Sequence, residues 1–447
     1  MVIAQRFAVN PRFDPSETSW LPFPFWLTGS VMALLGREPW VARAVAVASG
    51  VVAVLLCFLA ARRLGASPRA ALLGCLVASA FPYSAWLGVA TVPELLTAAL
   101  IVFAAACASD APSGRGRLLG ALALMAASLS RYEAWPVAGV YAILCLADAR
   151  EAPRAGLAAV IAVAGPLAWM VHGVLHHDSA LFFVKRVADY QRAIGASPES
   201  WALAALHKPL AYFRTEPELT GSVVLLGAYC RRHGVRIFRR TRRTWWCLGA
   251  LLAFLVAADV RGASATHHAE RVLLAPWLMS ALALGTMALA LGAPSRSGRT
   301  RLPTVALVGL LLVASAWLRP WFARRDGFID RSVHLALGHA ARLAAPGQRV
   351  VVDTPDFAFY AILAGHTDPR LALPLDDMDP RHAREEDAFQ SCEALSRTMH
   401  ARGATLLVTT GASHRKLARG CYEEVLRAGE LSLLRSGSGA RAPAPPP

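Results

Sequence analysis

VARAVAVASGVVAVLLCFLA, residues 41–60, is an almost uninterrupted apolar run whose single charge is Arg43. A helix needs about 20 predominantly apolar residues to cross a bilayer core, so this stretch predicts a transmembrane span. Similar runs recur along the chain, although several of them are shorter. The predicted spans are 41–60, 70–88, 91–108, 117–131, 134–147, 155–174, 219–230, 244–260, 272–292 and 303–318.

The composition agrees with a polytopic α-helical membrane protein. Of 447 residues, 55% are hydrophobic and 17% charged, whereas soluble domains carry about 25% charged residues. This excludes an ordinary soluble globule, a disordered chain, a coiled coil and collagen. Lys and Arg number 46 against 30 Asp and Glu, a net charge of +16. Because most of this excess falls in short loops between spans, it indicates membrane topology and not nucleic-acid binding.

The arginines predict the orientation. Loops rich in arginine alternate with loops that are poor in it, and the loop at 231–243 is the richest. Arginine-rich loops are cytoplasmic by the positive-inside rule. Residues 1–40, the long loop 175–218 and everything after 318 are then expected on the outer face. The predicted location is the inner membrane, with an extracytoplasmic C-terminal domain.

The N-terminal region needs a separate explanation. Segment 22–36 is short and rich in proline, so we expect an interfacial helix within the outer loop 1–40. No predicted span before this loop carries it across the membrane. We therefore expect one further apolar helix upstream of Met1.

The composition changes after Arg319. Predicted helices at 332–345, 355–364, 385–401 and 413–428 alternate with strands at 348–353, 404–409 and 430–434. This alternation predicts a small α/β domain at 319–436, with a disordered tail at 437–447. The domain lacks the glycine patterns of nucleotide-binding loops. Because it is expected in an oxidising space, Cys392 and Cys421 are candidates for a disulfide, unless their helices lie on opposite sheet faces.

Four polar clusters fall on the predicted outer side. Ionisable residues at membrane depth are costly and usually mark function, so clusters that share one face predict a polar cavity. Each cluster also has a simpler structural explanation. Asp14 could cap a turn, and Glu94 could complement the dipole at the start of a helix. Arg131 and Glu133 could form an interfacial ion pair, and Arg271 could snorkel to the interface. The histidine pairs 176–177 and 267–268 do not predict a metal site, because adjacent histidines rarely face one ion. The clusters are Asp14 with Glu17; Glu94; Arg131, Tyr132 and Glu133; and His267, His268, Glu270 and Arg271.

Three stretches together resemble a known family. They are FDPSETSWLPFPFW at 13–26, SRYEAWP at 130–136 and ERVLLAPW at 270–277. The pattern is similar to GT-C membrane glycosyltransferases, especially the protein-mannosyltransferase-like (glycosyltransferase family 39 type) and aminoarabinose-transferase-like group. The resemblance covers roughly residues 1–320. It implies a sugar donor linked to polyprenyl phosphate, and a catalytic acid in the first outer loop. Asp14 is the nearest match to that acid and Glu17 the alternate; the family's usual first helix and its acidic pair are absent.

Such a transfer requires a carboxylate base, positive charge for the leaving phosphate and an apolar groove for the lipid. Candidate bases are Asp14, Glu17 and Glu94, and candidate phosphate ligands are Arg131 and Arg271. No cofactor is predicted with certainty, and a divalent cation is the alternative to part of the arginine role. The acceptor would be a lipid, a glycan or a protein. The competing functions are a multi-span transporter and a membrane scaffold with an outer partner-binding domain. The supporting residues are Tyr132, Glu133, Trp135, His268 and Glu270.

Overall fold

The computed structural model describes most of the chain. Within the described residues it contains 19 helices and one five-stranded mixed sheet. Contacts divide the chain into two compact units: the first contains 1–15, 25–42 and 328–447, and the second contains 16–24 and 43–327. The residues outside the description are 112–113, 196–199, 233–237, 239–240, 263–268, 293–329, 355–356, 377–378, 380–387, 411 and 437–447.

Fifteen described helices precede residue 293. Nine of the predicted spans correspond to helices, although 70–88 is divided into two because Pro82 interrupts the helix. The predicted span 303–318 lies outside the described residues. The helices are α1 Val2–Val9, α2 Phe23–Leu35, α3 Pro39–Arg63, α4 Pro68–Ala80, α5 Pro82–Leu87, α6 Glu94–Cys107, α7 Arg115–Ser128, α8 Ala134–Asp148, α9 Pro153–His177, α10 Phe182–Ala193, α11 Trp201–Thr215, α12 Pro217–Arg232, α13 Arg242–Val260, α14 Ala269–Val272 and α15 Leu274–Gly292.

Helices α3, α9 and α13 have the length and apolar character needed to cross a membrane, and α2, α4, α6, α8 and α15 are shorter apolar helices. Large aliphatic side chains stay exposed along the longest two, such as Val51 on α3 and Leu175 on α9, which are 65% and 71% exposed. A soluble protein would rarely expose such continuous apolar faces. They are the surfaces expected to contact lipid in an integral membrane protein.

Small residues bring α4 and α15 into close contact. A Cβ atom added at Gly285 would lie 2.3 Å from the backbone nitrogen of Gly74, and one added at Gly74 would lie 2.8 Å from the Cα of Leu282. Glycine at both positions therefore lets the two backbones approach, as small residues commonly do between membrane helices.

The first unit contains the predicted α/β domain. Strands β1 Arg349–Asp353, β2 Ala372–Pro374 and β3 Ala404–Thr409 are parallel, and β5 Leu431–Arg435 runs antiparallel between β3 and β4 Glu423–Ala428. The order is β2-β1-β3-β5-β4. Alternate strand residues face two helical layers: Val350 and Leu406 pack in the cluster that includes residues of α16 Ser332–Ala344 and α17 Phe359–His366. Val351 and Leu407 pack in the cluster that includes residues of α18 Cys392–Ala401 and α19 Ala412–Cys421.

One sequence prediction in this domain was wrong, and one strand was missed. The predicted helix 413–428 ends at Cys421, and 423–428 form β4. The two residues between β4 and β5 include Gly429, whose φ of +62° suits a tight hairpin turn. Strand β2 was not predicted, because three residues carry little periodic signal. The candidate disulfide is present: Cys392 and Cys421 are bonded, with Cα atoms 5.5 Å apart, and the condition for it is met because α18 and α19 lie on the same face of the sheet.

Candidate active site

Two arginines from separate elements meet at one buried carboxylate in the second unit. Glu94 Oε1 accepts a hydrogen bond from Arg131 Nη1 at 3.1 Å and lies 3.5 Å from Arg271 Nη1. The Glu94 side chain is 3% exposed, and those of Arg131 and Arg271 are 13% and 34% exposed. A carboxylate so deeply buried needs compensating charge, and here two guanidinium groups supply it.

Local sequence explains these positions. Glu94 is the first residue of α6 and follows Pro93, so the helix begins at the carboxylate. Arg131 lies in the turn between α7 and α8, where its backbone N–H still bonds to Ala127. Arg271 lies in the one-turn helix α14 that precedes α15. The site is therefore built from helix ends, where side chains can reach across to neighbouring helices.

Glu133 completes the cluster. Arg131 Nε donates a hydrogen bond to Glu133 Oε1, so the guanidinium bridges two carboxylates. The two arginines and two glutamates carry charges that sum to zero. One oxygen nevertheless stays open: Glu94 Oε2 is buried and has no hydrogen-bond partner among the described residues. Thr97 Oγ1 lies one helical turn further along the same face of α6. It is also buried and has no hydrogen-bond partner among the described residues.

Tyr132 and Trp135 hold the turn in place. Tyr132 donates from its hydroxyl to the carbonyl of Ser19 at 2.7 Å and accepts from Trp169 Nε1 at 3.1 Å. Its ring stacks on Phe183 with centroids 4.3 Å apart, and Trp135 Nε1 donates to the carbonyl of Ser128. The segment Ser16–Pro24 is thus attached beside the Arg131 turn, which gives both aromatic residues a positioning role.

The remaining predicted site residues are Asp14, Glu17, His268 and Glu270. Asp14 is buried in the first unit. Glu17 is exposed in the second unit and has a left-handed φ of 54°. His268 lies outside the described residues. Glu270 does not pair with Arg271: among the described residues, Glu94 is the carboxylate within ion-pair distance of that arginine.

Sequence reasoning missed a second buried ionic group in this unit. Lys208 Nζ lies 3.4 Å from Asp259 Oδ1, with side chains 1% and 5% exposed. Asp259 Oδ2 also lies 2.7 Å from His207 Nδ1. The group joins α11 to the end of α13. The sequence feature that could have indicated this group is Asp259, an acid at the end of the predicted apolar span 244–260.

Imidazoles gather at the end of α9. His172 lies with its ring centroid 4.5 Å from that of His176 and 5.7 Å from that of His177. Imidazole nitrogens are common ligands of divalent cations, so this cluster could contribute to a cation site. A divalent cation as the alternative to part of the arginine role therefore stays a prediction.

Comparison with known proteins identifies the fold. No family model and no curated protein matches the sequence. The structure is similar to ArnT from Cupriavidus metallidurans bound to undecaprenyl phosphate, with a TM-score of 0.62, 14% identity and coverage of 99% of this chain and 93% of that chain. The apo state of the same protein gives a TM-score of 0.57, 12% identity and coverage of 97% and 91%.

A third structure is also similar. The archaeal oligosaccharyltransferase AglB from Archaeoglobus fulgidus, in complex with an inhibitory peptide and a dolichol-phosphate, matches with a TM-score of 0.51 and 13% identity, covering 92% of this chain and 64% of that chain. The chain has the fold of the GT-C membrane glycosyltransferases. This confirms the resemblance found in the sequence at the level of the fold.

Proposed function

We propose that the protein is an integral membrane glycosyltransferase that moves a sugar from a polyprenyl-phosphate donor to an acceptor on the outer face of the membrane. The observation that carries this proposal is the convergence of Arg131 and Arg271 on Glu94. The fold supports it, because the ArnT and AglB structures hold undecaprenyl phosphate and a dolichol-phosphate.

The arginines are suited to hold the phosphate. A guanidinium has five N–H groups in a planar fork, and Arg131 uses two of its nitrogens on the carboxylates of Glu94 and Glu133. Its Nη2 makes no hydrogen bond to any described residue, so a phosphate oxygen could accept from it without loss of either contact. Arg271 meets Glu94 through Nη1 and is one-third exposed, so it can share the same phosphate. The glutamates then fix the two forks in place.

The reaction also requires a base. The acceptor's oxygen or nitrogen attacks the anomeric carbon, the bond from that carbon to the phosphate oxygen breaks, and a carboxylate takes the acceptor's proton. The departing phosphate keeps the bonding electron pair and is stabilised by the arginines. This single displacement inverts the anomeric centre. Glu94 offers its open Oε2 as the base, while Asp14 and Glu17 remain the alternatives implied by the family resemblance.

An apolar cavity next to this cluster suits a lipid chain. Its volume is about 250 Å³. Leu95, the residue after Glu94, lines it together with Val47 and Val51 of α3 and Leu278 of α15. A polyprenyl chain placed there would leave its phosphate close to the arginines.

The outward orientation rests on two independent features. Arginine-rich loops join one set of helix ends, and the disulfide lies in the C-terminal domain. Disulfides persist in oxidising compartments outside the cytosol. Both features support an outer α/β domain.

Arginine-to-lysine variants test the proposal, because lysine keeps the charge but loses the planar fork. Purified Arg131→Lys and Arg271→Lys proteins should bind undecaprenyl phosphate about 10- to 100-fold more weakly, as expected for one lost charge-assisted hydrogen bond. Arg192→Lys, at an exposed pair on α10, is the control.

Asp14→Asn should abolish sugar transfer and keep binding if Asp14 is the base. Normal binding by both lysine variants would contradict the clamp, and movement of a substrate across vesicles without transfer would favour a transporter.

A further inference from the structure

Two buried polar atoms lie on one face of α6, and neither has a hydrogen-bond partner among the described residues. They are Glu94 Oε2 and Thr97 Oγ1, and their residues are 3% and 2% exposed. Residues three apart on a helix are neighbours, with Cβ atoms about 5–6 Å apart. A small polar group placed between these two side chains could therefore bond to both.

Three other buried threonines lie on described helices of the second unit, and each has a partner. Thr220 and Thr286 donate to the carbonyl four residues earlier, each at 3.0 Å, and Thr244 donates to a carbonyl of α6 at 2.9 Å. Thr97 has the equivalent carbonyl at Pro93, which accepts from its backbone N–H at 2.9 Å, but its hydroxyl does not use it. Because a buried hydroxyl without a partner is costly, a ligand that bonds to Thr97 gains a stabilising contact.

The chemistry of the two atoms determines the class of ligand. An ionised carboxylate only accepts hydrogen bonds, whereas a threonine hydroxyl both donates and accepts. A group between them must therefore donate a hydrogen to Glu94, and it can either donate to Thr97 or accept from it. A hydroxyl or an amine meets this requirement. A carboxylate or a phosphate dianion has no proton to donate and would be repelled by the charge of Glu94.

We propose that Glu94 Oε2 and Thr97 Oγ1 bind the attacking group of the acceptor, and that this group is a hydroxyl or an amine. This assignment rests on the proposed transfer reaction with Glu94 as the base. An attacking hydroxyl donates its hydrogen to Glu94, accepts from Thr97 with one lone pair and attacks the anomeric carbon with the other. A neutral amine donates one hydrogen to each residue and attacks with its lone pair. In both cases Glu94 takes the proton, and the departing phosphate keeps the electron pair of the broken bond.

The contacts of the cluster separate this subsite from the phosphate. Arg131 and Arg271 both contact Glu94 through Oε1, so the proposed phosphate ligands and the acceptor use different oxygens of one carboxylate. Thr97 makes no hydrogen bond to either arginine. Loss of its hydroxyl should therefore affect the acceptor and leave the phosphate bound as before.

The test compares Thr97→Val, which keeps the shape of the side chain without the hydroxyl, with Thr97→Ser, which keeps the hydroxyl. The donors are undecaprenyl-phosphate mannose and undecaprenyl-phosphate arabinose. The acceptors are octanol, octylamine and octyl phosphate, which share one chain and differ in the attacking group. Transfer to octanol or octylamine should fall by about tenfold in Thr97→Val, the loss expected for one hydrogen bond, and Thr97→Ser should restore it. Octyl phosphate should accept no sugar.

Two further measurements separate binding from structure. Undecaprenyl phosphate should bind equally to the native protein and to both Thr97 variants. Removal of a hydroxyl that has no partner should leave the melting temperature of Thr97→Val unchanged or raise it. Thr286→Val, which removes a buried hydroxyl from α15, is the matched control and should transfer sugar normally.

Other outcomes overturn the inference. A lower melting temperature of Thr97→Val would mean that the hydroxyl is bonded within the structure. Undiminished transfer by that variant, or transfer to octyl phosphate, would also contradict the assignment. If the native protein binds undecaprenyl phosphate but transfers sugar to none of the three acceptors, the acceptor class is wrong while the phosphate clamp stands. If it binds no undecaprenyl phosphate, the proposed function itself fails.

Discussion

Replacement of Glu94 by glutamine separates phosphate binding from catalysis. Glutamine keeps an oxygen that can accept from Arg131 and Arg271, so the arginines should stay near their places. The negative charge and the open acceptor at Oε2 are both lost or altered. We therefore expect tighter binding of undecaprenyl phosphate together with slower sugar transfer. Few substitutions at a binding site are expected to change these two quantities in opposite directions.

The magnitude follows from the charges of the cluster. Glu94 and Glu133 cancel Arg131 and Arg271, so a bound phosphate feels attraction from the arginines and repulsion from both glutamates. A phosphate across one guanidinium from Glu94 would lie roughly 6 Å away, and at an effective dielectric constant of about 20 the repulsion is about 3 kcal/mol. Water near the partly exposed Arg271 reduces this value. The expected gain in affinity is about 10- to 100-fold.

The assay measures undecaprenyl-phosphate binding and sugar transfer on the same purified variants. If Glu94 is the base, transfer should fall by at least about 100-fold, the usual contribution of a general base. Asp148→Asn is the matched control. It also removes a carboxylate that pairs with two arginines, Arg117 and Arg243, but both of its oxygens are already occupied. That variant should lose stability and keep its affinity for the phosphate.

Weaker phosphate binding by Glu94→Gln would refute the reasoning, because it would mean that Glu94 serves mainly to hold the arginines in position. Tighter binding with unchanged transfer would move the base to Asp14 or Glu17. If the native protein does not bind undecaprenyl phosphate, the proposed function itself fails.

Three further predictions concern topology, packing and pH. A cysteine replacing Ala193 should react with an impermeant thiol reagent in intact cells, and one replacing Thr241 should not. The six free native cysteines are buried and should not contribute to the labelling. The opposite labelling pattern would invert the predicted orientation. Gly285→Leu should lower the melting temperature, since its side chain would collide with the Gly74 backbone, whereas Gly249→Leu, at an open position on α13, should not. Burial lowers the pKa of His366 below its ordinary value of 6.5, so the unfolded chain takes up a proton first as pH falls below about 6.5 and stability declines; His366→Gln should reduce that decline, and an identical pH profile would argue against this origin.

Much of the fold could be predicted from hydropathy and charge. Nine predicted apolar runs coincide with helices near their predicted places, since the cost of placing polar backbone in lipid restricts such runs to helices. The failures were local. Pro82 broke one predicted span, and the charged segment 423–428 formed an edge strand because Gly429 allows the hairpin and β5 offers a partner.

The sequence predicted which residues form the Glu94 cluster better than it predicted the contacts between them. The sequence indicated Glu94, Arg131, Glu133 and Arg271, but it named Glu270, the neighbour of Arg271, as a supporting residue, whereas Arg271 lies within ion-pair distance of Glu94. Consecutive helical residues point in directions about 100° apart, so adjacency in sequence is poor evidence for a pair. Long-range pairs such as Lys208–Asp259 depend on how α11 packs on α13, which no local pattern reveals.

Two ionic networks lie at opposite ends of the same helices, and their difference favours the Glu94 cluster as the proposed functional site. Arg117 begins the network at the start of α7, reaching Asp148 at the end of α8, and its side chain is fully buried. Glu94 and Arg131 occupy the other ends of α6 and α7. In the first network Asp148 accepts hydrogen bonds at both oxygens, so it is closed and acts to join helices. In the second, Glu94 keeps one buried oxygen without a partner among the described residues, and an apolar cavity begins at the next residue. A buried polar atom left open is costly, and the proposed binding of a donor and an acceptor substrate would account for both features.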